Sequence, residues 1–327
     1  MRRLTLGTGI AGVLLVAVVA GLLVREGRGP HTPPRPRLGP ARVVYDGDLG
    51  DPFVLKTAVS YVLFGTDDRP DHIPTAQAVS LDAWHRGPDA LPELPGWANP
   101  DPDYSLTWAP AVRETAGGYL MYVSVQEAAS GRECIAVVVA RAAVGPYRDA
   151  LGAPLVCQRE LGGSIDPSVA ADPAGGLHLV WKNDGNCCRL PSSLWAQDLT
   201  ADGLRLTGSA QRLLTADQPW QGGIVENPAL LRATQGGWWL FYSGNRFDSP
   251  AYATGLAYCP TLGGGCRETS DRPFLAGTAT EFSPGGLDFF RDDRGASWAS
   301  FATWNRPAHN GRFRCCHSVS IAPLLGQ

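Results

Sequence analysis

The amino-acid sequence predicts an all-β fold of five repeated blades, and three observations lead to it. Glycine and proline occur 39 and 27 times in 327 residues, a frequency typical of short strands joined by turns. Apolar residues make up 44% of the chain, so a large core is available and wholesale disorder is excluded. A repeat with a period near 58 residues begins at about residue 46. Together these features predict a five-bladed β-propeller preceded by a separate N-terminal segment.

Each repeat contains a polar residue with a nearby proline, a short β-rich run, a turn and an aromatic-rich strand. The repeat prolines are Pro52, Pro110, Pro167, Pro228 and Pro284, so the gaps are 58, 57, 61 and 56 residues. The second strands of the repeats begin at Tyr61, Tyr119, Leu177, Trp238 and Trp298. Two strands and a tight turn per unit are what a propeller blade requires. We expect residues 42–327 to form one propeller domain.

The N-terminal segment is expected to lie outside that domain. Arg2 and Arg3 precede a run without charge, Thr5–Val24. A buried core helix is the alternative reading, but the pattern is that of a signal peptide or signal anchor, residues 1–24. Residues 25–41 are rich in proline and arginine and predict an extended linker. We therefore expect a protein that is secreted or held at the membrane by residues 5–24, with cleavage left open.

The charge balance argues against one class of partner. The chain has 28 Lys and Arg against 31 Asp and Glu, for a net charge of −3. A nucleic-acid-binding protein normally presents a basic field, so no nucleic-acid partner is expected.

The cysteines fit an oxidising compartment, and they are Cys134, Cys157, Cys187, Cys188, Cys259, Cys266, Cys315 and Cys316. The chain has no C-x-x-C pattern and no histidines at ligand spacing, which argues against a metal site. Cys259 and Cys266 flank a glycine-rich turn and predict a local disulfide. A bond between adjacent cysteines is strained, so we expect the pair Cys187-Cys188 to be cross-linked with the pair Cys315-Cys316.

Three of the five repeats carry a carboxylate at their start, namely Asp51, Asp166 and Glu226. Trp108 and Phe282 occupy the corresponding region of the other two. The first strand of each propeller blade lines the central axis, so these side chains should converge. Carboxylates for proton transfer and aromatic faces for sugar rings are typical of a glycoside-cleaving site. The alternative is that Asp-Pro and Glu-x-Pro merely open turns, but their recurrence in register favours a site.

The motifs and their order resemble glycoside hydrolase family 43 over residues 46–324. They are Asp51-Pro52, Trp108-Ala-Pro110, Ser164-Ile-Asp166-Pro167, Trp181-Lys182-Asn-Asp-Gly185, Val225-Glu226-x-Pro228, Trp239-Leu-Phe-Tyr242-Ser243 and Ser283-Pro-Gly-Gly. The resemblance implies a five-bladed propeller enzyme acting on arabinans and xylans. It also implies that Asp51 is the general base and Glu226 the general acid. Asp166 would be the residue that modulates the pKa of the acid and orients it.

The sequence departs from the family pattern at two positions. Many members have a histidine that helps to hold a central calcium where this chain has Gly286. We therefore expect no required cofactor and no bound metal, although a structural calcium is left open. Asn227 follows Glu226 where a small residue is usual, a change that leaves the acid assignment intact.

Four further residues are candidates for substrate binding. Trp108 and Trp220 are predicted to stack on sugar rings, and Asn183 to border the cleft. Arg312 resembles a late arginine of the family that approaches the substrate. We expect an oligo- or polysaccharide substrate and a monomeric protein.

A base that acts through water predicts inversion at the anomeric carbon. Two alternatives stay open at this point. The first is a non-catalytic glycan-binding propeller, against which the presence of all three acids counts. The second is a retaining enzyme like the invertase-type propellers, whose Asn-Asp-Pro-Asn signature this chain lacks. The sequence does not choose between arabinose and xylose, or between endo and exo action.

Overall fold

Each predicted repeat folds into an antiparallel sheet. The computed structural model describes residues 33–66, 70–100, 106–279, 281–306, 308–313 and 316–326. The predicted signal or anchor segment lies outside these ranges, as do residues 25–32 of the predicted linker. Among the residues described, no helix is long and apolar enough to cross a membrane.

The strands follow the chain in blade order. Two short strands come first, β1 (Arg37–Leu38) and β2 (Arg42–Tyr45). Blade one contains β3 (Phe53–Lys56), β4 (Tyr61–Phe64), β5 (Thr75–Ala78) and β6 (His85–Arg86). Blade two contains β7 (Thr107–Thr115), β8 (Gly118–Gln126), β9 (Glu133–Ala140) and β10 (Arg148–Asp149). Blade three contains β11 (Ser164–Ala171), β12 (Leu177–Asn183), β13 (Ser193–Leu199) and β14 (Leu206–Thr215).

The remaining strands complete the ring of sheets. Blade four contains β15 (Val225–Arg232), β16 (Trp238–Gly244), β17 (Ala253–Cys259) and β18 (Arg267–Glu268). Blade five contains β19 (Phe282–Arg291), β20 (Ser297–Trp304) and β21 (His317–Leu325). Short 3-10 helices lie in the connections, at Arg159–Leu161, Gly185–Cys188 and Pro219–Gln221. The first strand of each blade contacts that of the next, and β19 contacts β3, so the first strands encircle one axis. The fold is the predicted five-bladed β-propeller.

Blade five is completed by the N-terminal strands. Both β1 and β2 pair with β21, with Arg37 opposite Leu325 and Arg42 opposite Ile321. The segment predicted as a linker thus contributes an edge strand, and the propeller begins before the predicted boundary at residue 42. Proline is tolerated at such edges because an edge strand leaves one row of backbone groups unpaired.

The hydrophobic core lies between neighbouring blades. The largest apolar cluster joins blades one and two through residues such as Phe64 and Val123. Another joins blades three and four through Val180 and Leu240. Sheet-on-sheet packing therefore repeats round the ring, which lets a single domain of this length remain well packed.

The first strands share an unusual backbone feature at the residue before their proline. The φ angle there is 45° at Asp51, 49° at Ala109, 55° at Asp166 and 49° at Asn227. In β7, β11 and β15 the strand register also shifts at this point, which marks a bulge. A bulge re-aims side chains away from the regular alternation of a strand. Asp51, Ala109, Asp166 and Asn227 therefore occupy structurally equivalent positions in their blades.

The disulfides differ in part from expectation. Cys259 and Cys266 are bonded as predicted, and Cys134 is bonded to Cys157. Cys187 and Cys188 are bonded to each other, so the predicted cross-link to the other adjacent pair is wrong for them. Their place in a 3-10 turn, with Cα atoms 3.8 Å apart, makes the neighbouring sulfur the available partner. Cys316 is disulfide-bonded as well, and Cys315 lies outside the described residues.

Candidate active site

An open pocket lies where the first strands meet. Its wall comprises Asp51, Pro52, Phe53, Ala109, Pro110, Asp166, Pro167, Ser168, Asn227, Pro228, Gly286, Leu287 and Asp288. All five blades contribute to this wall. Two of the three predicted acids line the pocket directly, and the third, Glu226, is the neighbour of the lining residue Asn227.

Asp51 is held by hydrogen bonds to both of its carboxylate oxygens. The hydroxyl of Thr66 donates to Oδ2, and Nδ2 of Asn227 donates to Oδ1 at 2.9 Å. Burial raises the pKa of Asp51, the bond from Thr66 opposes that rise, and the charge of Glu226 adds to it. The two donors favour the carboxylate form, which is the form that a general base requires.

Asp166 is more deeply enclosed, with 7% of the residue exposed. Its Oδ2 accepts the backbone N–H of Asn227 at 2.9 Å, and its own backbone N–H donates to Oγ of Ser124 at 3.0 Å. Burial raises the pKa of Asp166 well above its usual range. The cation of Lys182 opposes this shift, and the charges of Glu226 and Asp51 add to it.

Glu226 pairs with a lysine that the sequence analysis did not assign to the site. Nζ of Lys182 donates to Oε2 of Glu226 at 2.8 Å and lies 3.5 Å from Oδ1 of Asp184. Lys182 is 1% exposed. Burial lowers the pKa of Lys182, but the charges of Glu226, Asp166 and Asp184 outweigh this effect and raise it above its usual value. The ammonium therefore stays charged, compensated by carboxylates.

Asn227 connects the three acids. Its backbone N–H binds Asp166 and its side chain binds Asp51, while the next residue toward the N-terminus is Glu226. Its Nδ2 also lies 3.2 Å from the phenol oxygen of Tyr252, a buried residue. Burial raises the pKa of Tyr252 well above its usual value, with the charges of Glu226 and Asp51 adding to the shift, so the phenol stays protonated.

The family assignment follows from comparison with known proteins. The model of glycosyl hydrolases family 43 matches residues 40–323. The chain belongs to this family. The resemblance seen in the sequence is thereby confirmed, and the protein is a glycoside hydrolase of family 43. Among the curated proteins, none matches the chain in sequence.

Solved structures of family 43 share the fold of this hydrolase. A thermostable family-43 glycoside hydrolase superposes with a TM-score of 0.74 at 23% identity, over 90% of this chain and 94% of that one. The endo-arabinase from Bacteroides thetaiotaomicron gives 0.70 at 19% identity, over 87% and 97%. The arabinanase from Bacillus subtilis gives 0.64 at 20% identity, over 88% and 96%. At these identities the likeness establishes the propeller fold alone.

The four predicted substrate-binding residues of the family 43 hydrolase have different surroundings. Trp108 is half-buried in β7, directly before the lining residue Ala109. Arg312 is on an exposed loop, and its Nη1 lies 3.6 Å from Oδ2 of Asp248. Neither residue lines the pocket itself, and the predicted contacts of both with substrate stay predictions.

Asn183 and Trp220 are engaged in packing instead. Nδ2 of Asn183 donates to the carbonyl oxygens of Leu161 and Pro191 at 3.0 and 2.9 Å. Its Oδ1 accepts the backbone N–H of Ser193 and the indole N–H of Trp195, each at 3.0 Å. The amide has no hydrogen-bonding capacity left for a sugar, and the prediction that Asn183 borders the cleft stays a prediction.

Trp220 stacks on Tyr242, with ring centroids 6.0 Å apart, and packs against the core between blades three and four. This ring is not part of the pocket wall. Its prediction as a sugar platform therefore has no support from its position.

The position of a family calcium ligand is filled by backbone. Gly286 has a φ of 60° and donates its N–H to Oγ of Ser243 at 3.0 Å. A Cβ atom there would lie 2.9 Å from Oδ1 of Asp51, so a histidine does not fit beside this carboxylate. Residue 286 therefore offers no side-chain ligand, and no step of the reaction is assigned to a metal.

Proposed function

We propose that the protein is an exported hydrolase that cleaves O-glycosidic bonds in arabinose- or xylose-containing glycans with inversion. The observation that supports the proposal is that Asp51 and Asp166 line one pocket, while Glu226, from a third blade, precedes the lining residue Asn227 and acts electrostatically on both aspartates. The solved relatives whose fold it shares include an endo-arabinase and an endo-1,4-beta-xylanase. Paired carboxylates on a family 43 scaffold are suited to acid–base cleavage of such bonds.

Asp51 acts as the general base in this mechanism. The two hydrogen bonds to its oxygens favour its ionised form against the effect of burial and fix its direction. It removes a proton from a water molecule, which attacks the anomeric carbon. A single displacement by water inverts the configuration at that carbon.

Glu226 acts as the general acid and gives its proton to the departing glycosidic oxygen. Asp166 has an indirect role, because it binds the backbone N–H of the residue that follows Glu226. It holds the segment that carries the acid, and its charge contributes to the field there. We describe Asp166 as a positioning residue.

Export is supported by the disulfides, since such bonds persist mainly in oxidising compartments. The uncharged run Thr5–Val24 agrees with this location. We also propose that the enzyme works as a monomer and without a cofactor.

The test is hydrolysis of aryl α-L-arabinofuranosides, aryl β-D-xylosides, arabinan and xylan by the purified protein. Anomer-resolved proton NMR should show that the first-formed sugar has the opposite configuration to the substrate. Asp51→Asn should abolish turnover, whereas Asp82→Asn, an equal charge change at a side chain 77% exposed, should not. Binding without turnover would instead indicate a glycan-binding propeller, and a retained anomer would overturn the inverting mechanism.

A further inference from the structure

Lys182 occupies a position that blades one, two and four fill with hydroxyl residues, whereas blade five has Ala302 there, opposite Gly285. This position is on the second strand of a blade or just after it. It lies opposite the residue of the first strand that immediately precedes the residue with left-handed φ. Thr66 lies opposite Gly50 in blade one, Ser124 opposite Trp108 in blade two, and Ser243 opposite Glu226 in blade four. In blade three Lys182 lies opposite Ile165. We call these the axial positions.

The hydroxyl at an axial position accepts a backbone N–H from the next blade. Thr66 accepts that of Ala109 at 3.1 Å, and Ser124 that of Asp166 at 3.0 Å. Ser243 accepts that of Gly286 at 3.0 Å. The residues that donate are those with left-handed φ. These hydroxyls thus form hydrogen bonds that connect successive blades at the pocket wall.

An ammonium group cannot accept such a bond, because it has donors only. The corresponding N–H of blade four, that of Asn227, therefore donates to Oδ2 of Asp166. Lysine at the axial position thus has two effects. It leaves the backbone N–H of Asn227 free to donate to Asp166, which orients that carboxyl. It also places an ammonium group 2.8 Å from Oε2 of Glu226.

The groups around this cation are mostly carboxyls. Glu226 is faced by Asp51 of blade one, by Asp166, Lys182 and Asp184 of blade three, and by Tyr252 of blade four. Lys182 is the cation among these groups, and it is fully buried. Desolvating an ammonium is strongly unfavourable unless carboxylates offset it. A hydroxyl would fill the axial position without that cost.

We propose that Lys182 is a positioning residue that aims the Glu226 carboxyl and stabilises the carboxylate left when its proton is transferred. The inference rests on the proposed role of Glu226 as general acid. In the step, the proton moves from Glu226 to the glycosidic oxygen as the bond to the anomeric carbon breaks. The proton of the attacking water moves to Asp51, and Lys182 keeps all of its protons. A fixed cation beside a developing negative charge lowers the barrier because it need not reorganise.

The experiment compares Lys182→Met and Lys182→Arg on pentosides with different leaving groups. We expect Lys182→Met to lower kcat about 100-fold for a poor leaving group such as methyl, within the usual range for acid–base assistance. For 2,4-dinitrophenolate, which departs without a proton, kcat should fall less than about fivefold, with KM unchanged in both cases. Lys182→Arg should restore part of the loss because it keeps the charge. Lys56→Met is the matched control, because Lys56 is the chain's other lysine and pairs with Asp293 outside the pocket.

A loss of equal size on both substrates, or none on either, would overturn the positioning role. An inactive wild-type enzyme would overturn the proposed function itself, and with it the catalytic part of this inference. The ion pair can be tested without substrate in a double-mutant cycle with Glu226→Gln. We expect the double variant to melt at a higher temperature than Lys182→Met alone, and strictly additive effects would overturn the pairing.

Discussion

Nδ2 of Asn227 lies 2.9 Å from Oδ1 of Asp51, so the residue that follows the proposed acid in sequence binds the proposed base. The same asparagine donates its backbone N–H to Asp166. One residue of blade four therefore fixes carboxylates of blades one and three. Small changes at this position should move the base and the acid together, which couples the two halves of the reaction.

The roles of Asp51 and Glu226 predict opposite responses to the leaving group. Glu226→Gln should lower kcat/KM about 10²–10⁴-fold for an alkyl pentoside and far less for a 2,4-dinitrophenyl pentoside. Asp51→Asn should be inactive on both, because no leaving group replaces the activation of water. The measurement is steady-state kinetics on both substrates. Near-native activity of Asp51→Asn would contradict the assignment, as would an equal loss on both substrates for Glu226→Gln.

The hydroxyl of Thr66 should set the acidic limb of the pH profile. Its hydrogen bond favours the ionised form of Asp51, so Thr66→Val should raise the pKa of Asp51 further. Because the base must be ionised, the acidic limb of kcat/KM should move to higher pH. Thr66→Ser should restore the native profile. Thr303→Val is a suitable control, since that hydroxyl bonds only a backbone carbonyl, that of Ser318. A limb that stays in place would show that Thr66 does not act on the base.

Asp288 should make stability depend on pH. Burial raises the pKa of this pocket residue to about 7, while an unfolded aspartate titrates near 3.9. The folded state therefore holds an unfavourable carboxylate at pH 8, and this cost fades as the pH falls below 7. Asp288→Asn should stabilise the protein by about 1–3 kcal/mol at pH 8 and much less at pH 5. Thermal unfolding at both pH values measures this, with Asp82→Asn as the exposed control. The same gain at both pH values would rule out titration as the cause.

The disulfide pattern is open to direct chemical test. Peptide mapping without reduction should recover Cys259 joined to Cys266 and Cys134 joined to Cys157. The peptide that carries Cys187 and Cys188 should resist alkylation until it is reduced. Replacing Cys259 and Cys266 by serine should cost about 2–3 kcal/mol, as expected for a short loop. Alkylation of Cys259 and Cys266 before reduction would contradict the disulfide between them.

The repeat made the fold predictable from the sequence, because the spacing of Pro52 to Pro284 reports one structural unit per blade. The N-terminal edge of the propeller was not predictable in the same way. The strand Arg37–Leu38 is defined by its pairing with Leu324 and Leu325, residues at the other end of the chain. A short segment flanked by prolines has no sequence pattern that would predict pairing with a strand at the other end of the chain.

Asp51 and Asp166 could be proposed from the sequence because the repeat places them at equivalent points, whereas Glu226 lies one residue before the equivalent point in blade four, Asn227. Lys182 was not predictable, since a lysine within an apolar strand carries no sign of its partners. Aligning the second strands of the repeats would have revealed it as the exception among Thr66, Ser124 and Ser243. The hydrogen bonds of Asn183 were not predictable either, because the groups that satisfy its amide come from loops that the linear sequence does not place beside it.

The left-handed backbone at the pocket wall also acts as a filter on residue type. Aspartate, asparagine and glycine accept such φ values readily, whereas other residues lose about 1–2 kcal/mol there. Asp51, Asp166 and Asn227 meet this conformational demand with the same short polar side chains that proton transfer and carboxylate binding require. Ala109, at 49°, meets it only at a cost and contributes no polar group to the pocket wall. The propeller backbone therefore restricts which residue types can stand at its centre, whatever chemistry they perform. Among Asp51, Ala109, Asp166 and Asn227, only Ala109 has a side chain without a polar role, so residue 109 is the position most open to redesign.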